Sequence, residues 1–147
     1  MKQDLPFLIY DVARIMRVRS DQQARARGMT RAQWVVLMWL KRSPGITQNE
    51  LANLVEVEPI SVARLIDRLE ARGMVERRHD PKDRRVRRLH LTPEAQPYMA
   101  EVEHYRADLD ALMTAGLDEA TLQRLQEALM TIKSNLLEDR RIDAEAM

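Results

Sequence analysis

The stretch DPKDRRVRRLHLT, from Asp80 to Thr92, contains the features that decide the fold of this chain. Seven basic residues and only two acids occupy the twelve positions from Arg77 to Arg88. The basic residues are Arg77, Arg78, Lys82, Arg84, Arg85, Arg87 and Arg88. A proline and two aspartates mark a turn, and residues compatible with β-strands flank it on both sides. So much charge is too costly to bury in a core. The pattern therefore predicts a basic hairpin that lies against phosphate groups.

Three helices are predicted before this hairpin, between residues 30 and 73. The segments TRAQ (residues 30–33) and TQNE (residues 47–50) each have the form of a capping box, in which two hydrogen bonds open a helix. Pro59 suits the first turn of the third helix, and Gly73 suits its end. Three helices followed by a hairpin are the element order of a winged helix-turn-helix.

The third of these helices has two faces that differ in chemistry. Its predicted core face consists of Val62, Leu65, Ile66 and Leu69. Ser61, Arg64 and Arg68 fall on the opposite side. Short polar side chains followed by arginines suit the major groove of DNA, where they can contact base edges and phosphates. The helix alone leaves open an alternative, an ordinary amphipathic helix whose arginines pair with Asp67, Glu70 or solvent.

The tip of the hairpin favours the DNA interpretation. Arginines at such a tip can enter the minor groove, because narrow A·T-rich segments concentrate negative potential there. Arg84 and Arg85 occupy the tip, and Asp83 is placed to orient them by a charge-assisted hydrogen bond. A solvated charged face is the alternative for any run of charges. The position of this run, directly after a helix-turn-helix pattern, argues against that alternative.

The terminal helices are predicted to be long and amphipathic. One runs from about Leu5 to Arg27, one starts at a cap formed by Thr92 and Pro93, and Asp118 caps the last. Such helices commonly bury their apolar faces against a second subunit, with twofold symmetry by default. We therefore predict dimerisation helices in residues 1–29 and 93–147, and a winged helix-turn-helix lobe in residues 30–92. The fold class is mainly α with a small β-hairpin wing (α+β).

Composition excludes several classes of protein. The chain has 147 residues, 45% of them hydrophobic and 32% charged, which is ordinary for a globular protein. It has no cysteine, so disulfides, thiolate metal sites and direct cysteine-based redox sensing are excluded. No run of eighteen apolar residues is present, and the N-terminal segment lacks the features of a signal peptide. We expect a cytoplasmic protein without membrane contact.

The net charge of +1 conceals an asymmetry along the chain. Residues 1–46 hold nine lysines and arginines against three acids, residues 47–92 ten against eight, and residues 93–147 five against twelve. Such a split suggests a basic end that works on nucleic acid and an acidic end kept away from it.

No catalytic, cofactor or metal site is predicted. The histidines, His79, His90 and His104, do not have the spacing of metal ligands. No glycine-rich phosphate loop, Gly-x-Ser-x-Gly elbow or cysteine nucleophile occurs. We therefore expect a protein that is not an enzyme and holds no cofactor, although His79 could add a phosphate contact beside the wing.

The sequence resembles the MarR family of bacterial transcriptional regulators over nearly its whole length. Four segments carry the resemblance: GMTRAQWVVL (residues 28–37), ITQNELA (46–52), VARLIDRLEARGMVERR (62–78) and DPKDRRVRRLHLT (80–92). The Asp-x-Arg of the wing, Asp83-Arg84-Arg85, followed by Leu91-Thr92, is the most specific of these signatures.

The resemblance implies a homodimer on double-stranded DNA with a pseudo-palindromic operator. The matching base-reading segment is Pro59, Ile60, Ser61 and Arg64. Arg85 matches the minor-groove arginine, with Asp83 as its support, and Thr47 and Gln48 match phosphate contacts. Pro59-Ile60 departs from the Pro-Ser/Thr order common in the family, so the resemblance does not give the operator sequence.

The resemblance also implies a small-molecule effector, because many members bind aromatic acids or other anions beside the dimerisation helices. The corresponding lining would be Tyr10, Arg14, Arg17, Met38 and Trp39. The alternative, which we favour, is that Met38 and Trp39 fill the core and that the arginines are surface residues. Peroxide sensing through a reactive cysteine, known in one branch of the family, is excluded here.

The sequence thus predicts a dimeric DNA-binding transcriptional regulator, more specifically a repressor that a small ligand relieves. The competing hypothesis is a winged-helix protein-interaction module whose basic wing docks an acidic protein partner, since a fold does not imply a function. Duplex DNA discriminates the two, because an interaction module should ignore DNA at physiological salt.

Overall fold

The computed structural model describes residues 4–55 and 57–139 as helices, one hairpin and their connections. The α-helices are α1 (Leu5–Ala26), α2 (Arg31–Arg42), α3 (Gln48–Val55), α4 (Pro59–Ala71), α5 (Gln96–Thr114) and α6 (Glu119–Glu138). The strands β1 (Val75–His79) and β2 (Arg87–Leu91) pair antiparallel, and a one-turn 3-10 helix spans Pro93–Ala95. This confirms the predicted class, mainly α with a small β-hairpin.

Hydrogen bonds at the helix starts confirm the predicted capping residues of α2, α3 and α6. In the box that opens α2, Gln33 N donates to Thr30 Oγ1 at 3.1 Å and Thr30 N donates to Gln33 Oε1 at 3.0 Å. At α3, Glu50 N donates to Thr47 Oγ1 at 3.2 Å. Asp118 accepts from Thr121 N at 2.8 Å and so caps α6. Each side chain replaces a partner that the first turn of a helix lacks.

Thr92 departs from its expected role. It lies at the start of the 3-10 helix, but its side chain makes no capping hydrogen bond there. Its hydroxyl donates instead to the carbonyl oxygen of Gly73, and its amide donates to Met74 O at 2.9 Å. The hydroxyl is thus used across the base of the hairpin, and α5 begins only at Gln96 after the 3-10 turn.

The hairpin is attached to the loop before α3. Val75 pairs with Leu91, and Arg77 pairs with Leu89. Beyond its own ladder, β2 exchanges two hydrogen bonds with that loop: Leu89 N donates to Ile46 O and Gly45 N donates to Leu89 O, both at 2.9 Å. The wing is therefore anchored at its base on two sides.

The described residues form two compact units that divide between Tyr105 and Arg106. The core of the first unit joins α2, α3, α4 and the hairpin with the C-terminal end of α1 and the start of α5. In the second unit no described residue is buried. The predicted division at residues 29/30 and 92/93 concerns pairing between subunits, so it stays a prediction. No helix in the described ranges is long and apolar enough to cross a bilayer.

Candidate nucleic-acid interface

Burial sets the rotation of α4 about its axis. Val62, Ile66 and Leu69 are each 0% exposed, and Leu65 is half-buried against the same core. The opposite face carries exposed Ile60, Ser61, Arg64 and Arg68. The two faces are those that the helical spacing predicts. Because the apolar face of α4 packs against the core, the arginines on the opposite face point into solvent.

The acids of α4 are occupied by a residue from outside the helix. Arg77 of β1 donates to Asp67 Oδ1 at 2.7 Å and to Glu70 Oε1 at 3.1 Å. Arg64 and Arg68 form no ion pair with any residue in the described ranges. The alternative in which these arginines pair with the acids of their own helix is therefore not what the structure contains.

Asp80 organises the turn of the wing. Its Oδ1 accepts from Lys82 N at 2.7 Å and from Asp83 N at 3.3 Å, while its Oδ2 accepts from Arg88 Nε at 2.7 Å. The amide of Lys82 and then the Arg88 guanidinium hold the pKa of Asp80 below its ordinary value of 3.8. An ionised carboxylate thus defines the shape of the loop near neutral pH.

Arg85 extends from this turn into solvent. Its amide donates to Asp83 Oδ1 at 3.0 Å and its Nε lies 3.3 Å from the same oxygen. The arginine side chain is nevertheless 92% exposed. Asp83 therefore has the expected contact with Arg85, and a guanidinium held at its base but free at its end can reach a phosphate or a groove. Arg84 and Arg87 are also exposed.

Arg77, by contrast, belongs to the scaffold. Its side chain is 11% exposed, and besides the two carboxylates of α4 it contacts Ala63 O at 3.3 Å and Gln48 Oε1 at 3.4 Å. One guanidinium thus connects β1 with α3 and α4. This is a correction to the expectation that all the charge of the hairpin faces phosphates.

Arg88 is the second arginine of the hairpin with a structural role. Besides its ion pair with Asp80, its Nη1 donates to Gly45 O at 2.9 Å. It therefore connects the turn of the wing to the loop before α3. Arg78 pairs with its near neighbour Glu76.

The alternation of side chains along a strand predicts that Arg77 faces inward, which a count of charges cannot show. Residues two apart in a strand share a face, so Arg77 shares the face of Val75, which is 2% exposed. Its cross-strand partner Leu89 is 0% exposed. An arginine on the inward face of the strand needs a carboxylate, and α4 supplies two.

Thr47 and Gln48 lie at the start of α3, and both already have partners. Thr47 Oγ1 accepts the hydrogen bond of the capping box, which leaves its O–H free to donate. Gln48 Oε1 faces Arg77 Nε, which leaves the amide NH2 group as a donor. Both side chains are half-buried. The phosphate contacts that the resemblance implies for them stay a prediction.

Comparison with known proteins identifies the family and the fold of this chain. The model of the MarR family matches residues 29–86, which span α2 to the tip of the wing. The transcriptional regulator PA3341 is 34% identical in sequence, with a TM-score of 0.84 over 92% of this chain and 100% of that one. The chain belongs to the MarR family. It is a transcriptional regulator, and the family is not a class of enzymes.

Two other MarR family structures have the same fold. Wild-type MarR from E. coli is 25% identical, with a TM-score of 0.76 over 90% of this chain and 98% of that one. A MarR family transcriptional regulator from Listeria monocytogenes, crystallised in complex with 26mer DNA, is 21% identical, with a TM-score of 0.81 over 92% of this chain and 90% of that one. At 21% identity, the likeness to the Listeria monocytogenes regulator shows only that the two chains share a fold.

The effector residues implied by the MarR resemblance lie on two helices, three on α1 and two on α2. Tyr10 is 73% exposed on α1, and Arg14 donates to Asp11 Oδ1 at 2.8 Å. Arg17 is exposed, while Met38 and Trp39 are half-buried against the core. A separate open groove of about 630 Å³ is lined by Gln23, Ala26, Arg27, Ala100, Glu101 and His104.

The histidines of this MarR family member lie on three different elements, β1, β2 and α5. A ring nitrogen of His79 lies 3.2 Å from the carbonyl oxygen of Arg84, at the neck of the wing. Burial, and then the positive charge of Arg78, lower the pKa of His90 below its ordinary value of 6.5. His104 borders the groove beside α1. Across the described ranges, no group of three or more His, Asp or Glu residues could hold a metal ion.

Proposed function

We propose that this regulator binds a pseudo-palindromic operator as a homodimer and represses transcription, and that a small aromatic or anionic ligand relieves the repression. One observation carries the DNA-binding part: α4 and the wing tip expose cations that no described acid neutralises, apart from the local contact of Arg85 with Asp83. Phosphate neutralisation by such cations supplies most of the affinity for DNA.

The proposed roles follow the geometry of the lobe. We assign the first turn of α4, with Pro59, Ile60, Ser61 and Arg64, to the base edges of the major groove, and Arg68 to phosphate. Arg84 and Arg85 would enter the minor groove, with Asp83 limiting the conformations of Arg85 before binding. Thr47 and Gln48 would donate to phosphate oxygens from the start of α3.

The proposed homodimer is supported by the apolar residues that the single chain leaves in water. On α1 these are Leu5, Phe7, Leu8, Ile9, Val12, Ile15 and Val18, and on α6 they are Leu125, Leu129, Met130, Leu136 and Leu137. On each helix, exposed apolar residues in this number mark an interaction site rather than ordinary scatter. We assign it to a second copy of the chain, with the two subunits related by twofold symmetry.

A DNA-binding assay tests the main proposal. Fluorescence anisotropy compares duplex from upstream of the chain's own gene with a scrambled duplex, at about 150 mM salt. A preference of about a thousandfold or more is expected of a sequence-specific regulator. Equal and weak binding to both duplexes would mean that the operator lies elsewhere or that the wing docks a protein partner, and a pull-down would then test for that partner.

Sedimentation velocity tests the proposed homodimer. The wild type should sediment as a dimer, whereas Leu129→Asp places a charge on an apolar surface and should favour the monomer. Glu127→Asp, also on α6, is a matched control that keeps the charge and should leave the dimer intact. A monomeric wild type at micromolar concentration would contradict this part of the proposal.

The ligand proposal rests on the exposed Arg14 and Arg17 of α1. Benzoate titrated into the operator complex should release the DNA. Arg17→Ala should require more benzoate for the same release, while Arg25→Ala, farther along the same helix, is the control. Release that is identical in all three proteins would remove Arg17 from the effector site.

A further inference from the structure

Ile60 is the most exposed large apolar side chain in the described part of the lobe. It is 65% exposed, against 43% for Leu54 and 36% for Val57. A single exposed isoleucine is ordinary on a protein surface. Ile60 is, however, the second residue of α4, and so lies in the first turn that we assign to the major groove.

Ile60 lies on the same face of α4 as the exposed cations. Arg64 is four residues further on, one turn of the helix, and both side chains are exposed. The buried face of Val62 and Ile66 prevents the helix from turning Ile60 inward. Any duplex that lies along Arg64 and Ser61 therefore meets Ile60 as well.

The side chain of isoleucine has no hydrogen-bond donor or acceptor, which restricts what it can face in the major groove. Against a polar base edge it would remove water without replacing the lost hydrogen bonds, which is unfavourable. Among the unmodified bases, the one apolar group on the major-groove edge is the C5 methyl of thymine. Contact with that methyl buries apolar surface on both sides.

We propose that Ile60 makes the operator favour thymine at one position in each half-site, through contact between its side chain and the C5 methyl group. The inference rests on the proposed function, in which α4 enters the major groove. It goes beyond that function because it states a base preference. Serine at the same position could hydrogen-bond to several bases, so Ile60→Ser should relax the preference.

Deoxyuridine provides the test, since it pairs as thymine does but lacks the methyl group. A duplex bound by the wild-type protein is first selected from a randomised library, and its thymines are then replaced one at a time by deoxyuridine. At one thymine per half-site we expect the dissociation constant to rise about fourfold, and about fifteenfold when both half-sites are changed. Replacement elsewhere should have less effect.

Variants of Ile60 test whether the deoxyuridine penalty comes from its side chain. Ile60→Ser should bind the thymine duplex more weakly and show no deoxyuridine penalty, whereas Ile60→Val keeps an apolar group and should keep part of the penalty. Arg68→Ala is the matched control on the same face. It should weaken binding to every duplex and retain the full penalty. Thermal unfolding should be unchanged in Ile60→Ser, because the side chain is exposed.

The outcomes separate this inference from the function on which it rests. If the wild type selects a sequence but tolerates deoxyuridine at every position, or if Ile60→Ser shows the same penalty, the inference is overturned and the operator-binding function stands. If the wild type selects no sequence at all, both are overturned. A penalty that disappears only in Ile60→Ser supports the inference.

Discussion

The base and the tip of the hairpin contain the same residue type in opposite environments. At the base, the Arg77 side chain is 11% exposed and ion-pairs with two carboxylates of α4. At the tip, the Arg85 side chain is 92% exposed and has one local partner, Asp83. The difference shows that Arg77 joins elements of the fold, while Arg85 is available to a ligand. A count of basic residues therefore overstates the charge that can face DNA.

The salt dependence of binding measures how much charge remains available, and it should give the largest effect. If each dimer neutralises about eight phosphates, log K falls with log salt at a slope near −7, or about ten-thousandfold between 50 and 200 mM. Arg84→Ala should reduce the slope by about 2 per dimer. Anisotropy titrations over a salt series give both slopes. An unchanged slope in Arg84→Ala would show that Arg84 displaces no counterions and would contradict its proposed entry into the minor groove.

Replacement of Arg77 should damage the base of the hairpin. Arg77→Ala removes charged hydrogen bonds that join β1 to α3 and α4, so the free energy of unfolding should fall by about 2–3 kcal/mol. Urea denaturation followed by circular dichroism, at one protomer concentration, measures it. Arg87→Ala is the control at an exposed position and should change stability by less than about 0.5 kcal/mol. Equal stability of both variants would contradict the structural role of Arg77.

Replacement of Arg85 should have the converse effect. Arg85→Ala should weaken operator binding by about 1–3 kcal/mol, because it removes the proposed minor-groove contact, while stability changes little. Anisotropy and urea denaturation on the same preparation separate the two effects. Unchanged operator affinity would remove the wing from the binding surface.

Replacement of Arg64 tests whether an exposed arginine outside the wing contributes to sequence preference. Arg64→Ala should reduce the preference for operator over random duplex, by about 1–3 kcal/mol if the arginine contacts a base. The measurement is the ratio of the two dissociation constants, with Arg68→Ala for comparison. Equal losses on both duplexes would make Arg64 a phosphate contact alone.

Asp80 should give the smallest effect, which depends on pH. Its folded-state pKa lies below its ordinary value of 3.8, so the ionised form favours the folded state above that pH. This contribution is lost as the pH falls through the lowered pKa of the folded state. Asp80→Asn should therefore be less stable than wild type at neutral pH, and the difference should shrink below pH 3.8. A difference that stays constant into that acid range would contradict the assignment.

Local interactions explain why much of the fold could be predicted. The capping boxes at Thr30 and Thr47 involve residues three positions apart, and the buried face of α4 follows from helical spacing. The contact of Asp83 with Arg85 also spans two positions. The DNA-contact roles of these residues stay predictions, since each depends on a partner molecule.

Contacts between segments that are distant in sequence explain why the roles of Thr92 and Arg77 could not be predicted. Thr92 was assigned to a helix start, but its hydroxyl donates across the hairpin base to Gly73, nineteen positions away. Composition cannot separate such a contact from an ordinary cap, because the same hydroxyl can serve either. The strand alternation that places Arg77 inward was present in the sequence, yet its partners could be identified only after α4 was packed against β1.

The sequence by itself determined the order of helices and hairpin and the outward face of α4, because propensity, capping and periodicity act over a few residues. It also determined the family that the chain resembles, through the motifs of the lobe. The tertiary structure decided which arginines remain available for DNA. An ion pair depends on which carboxylate lies within reach of the folded chain, and Asp67 is ten positions from Arg77. Packing brings the two side chains together, and so separates the arginines that hold the lobe from those that can contact a duplex.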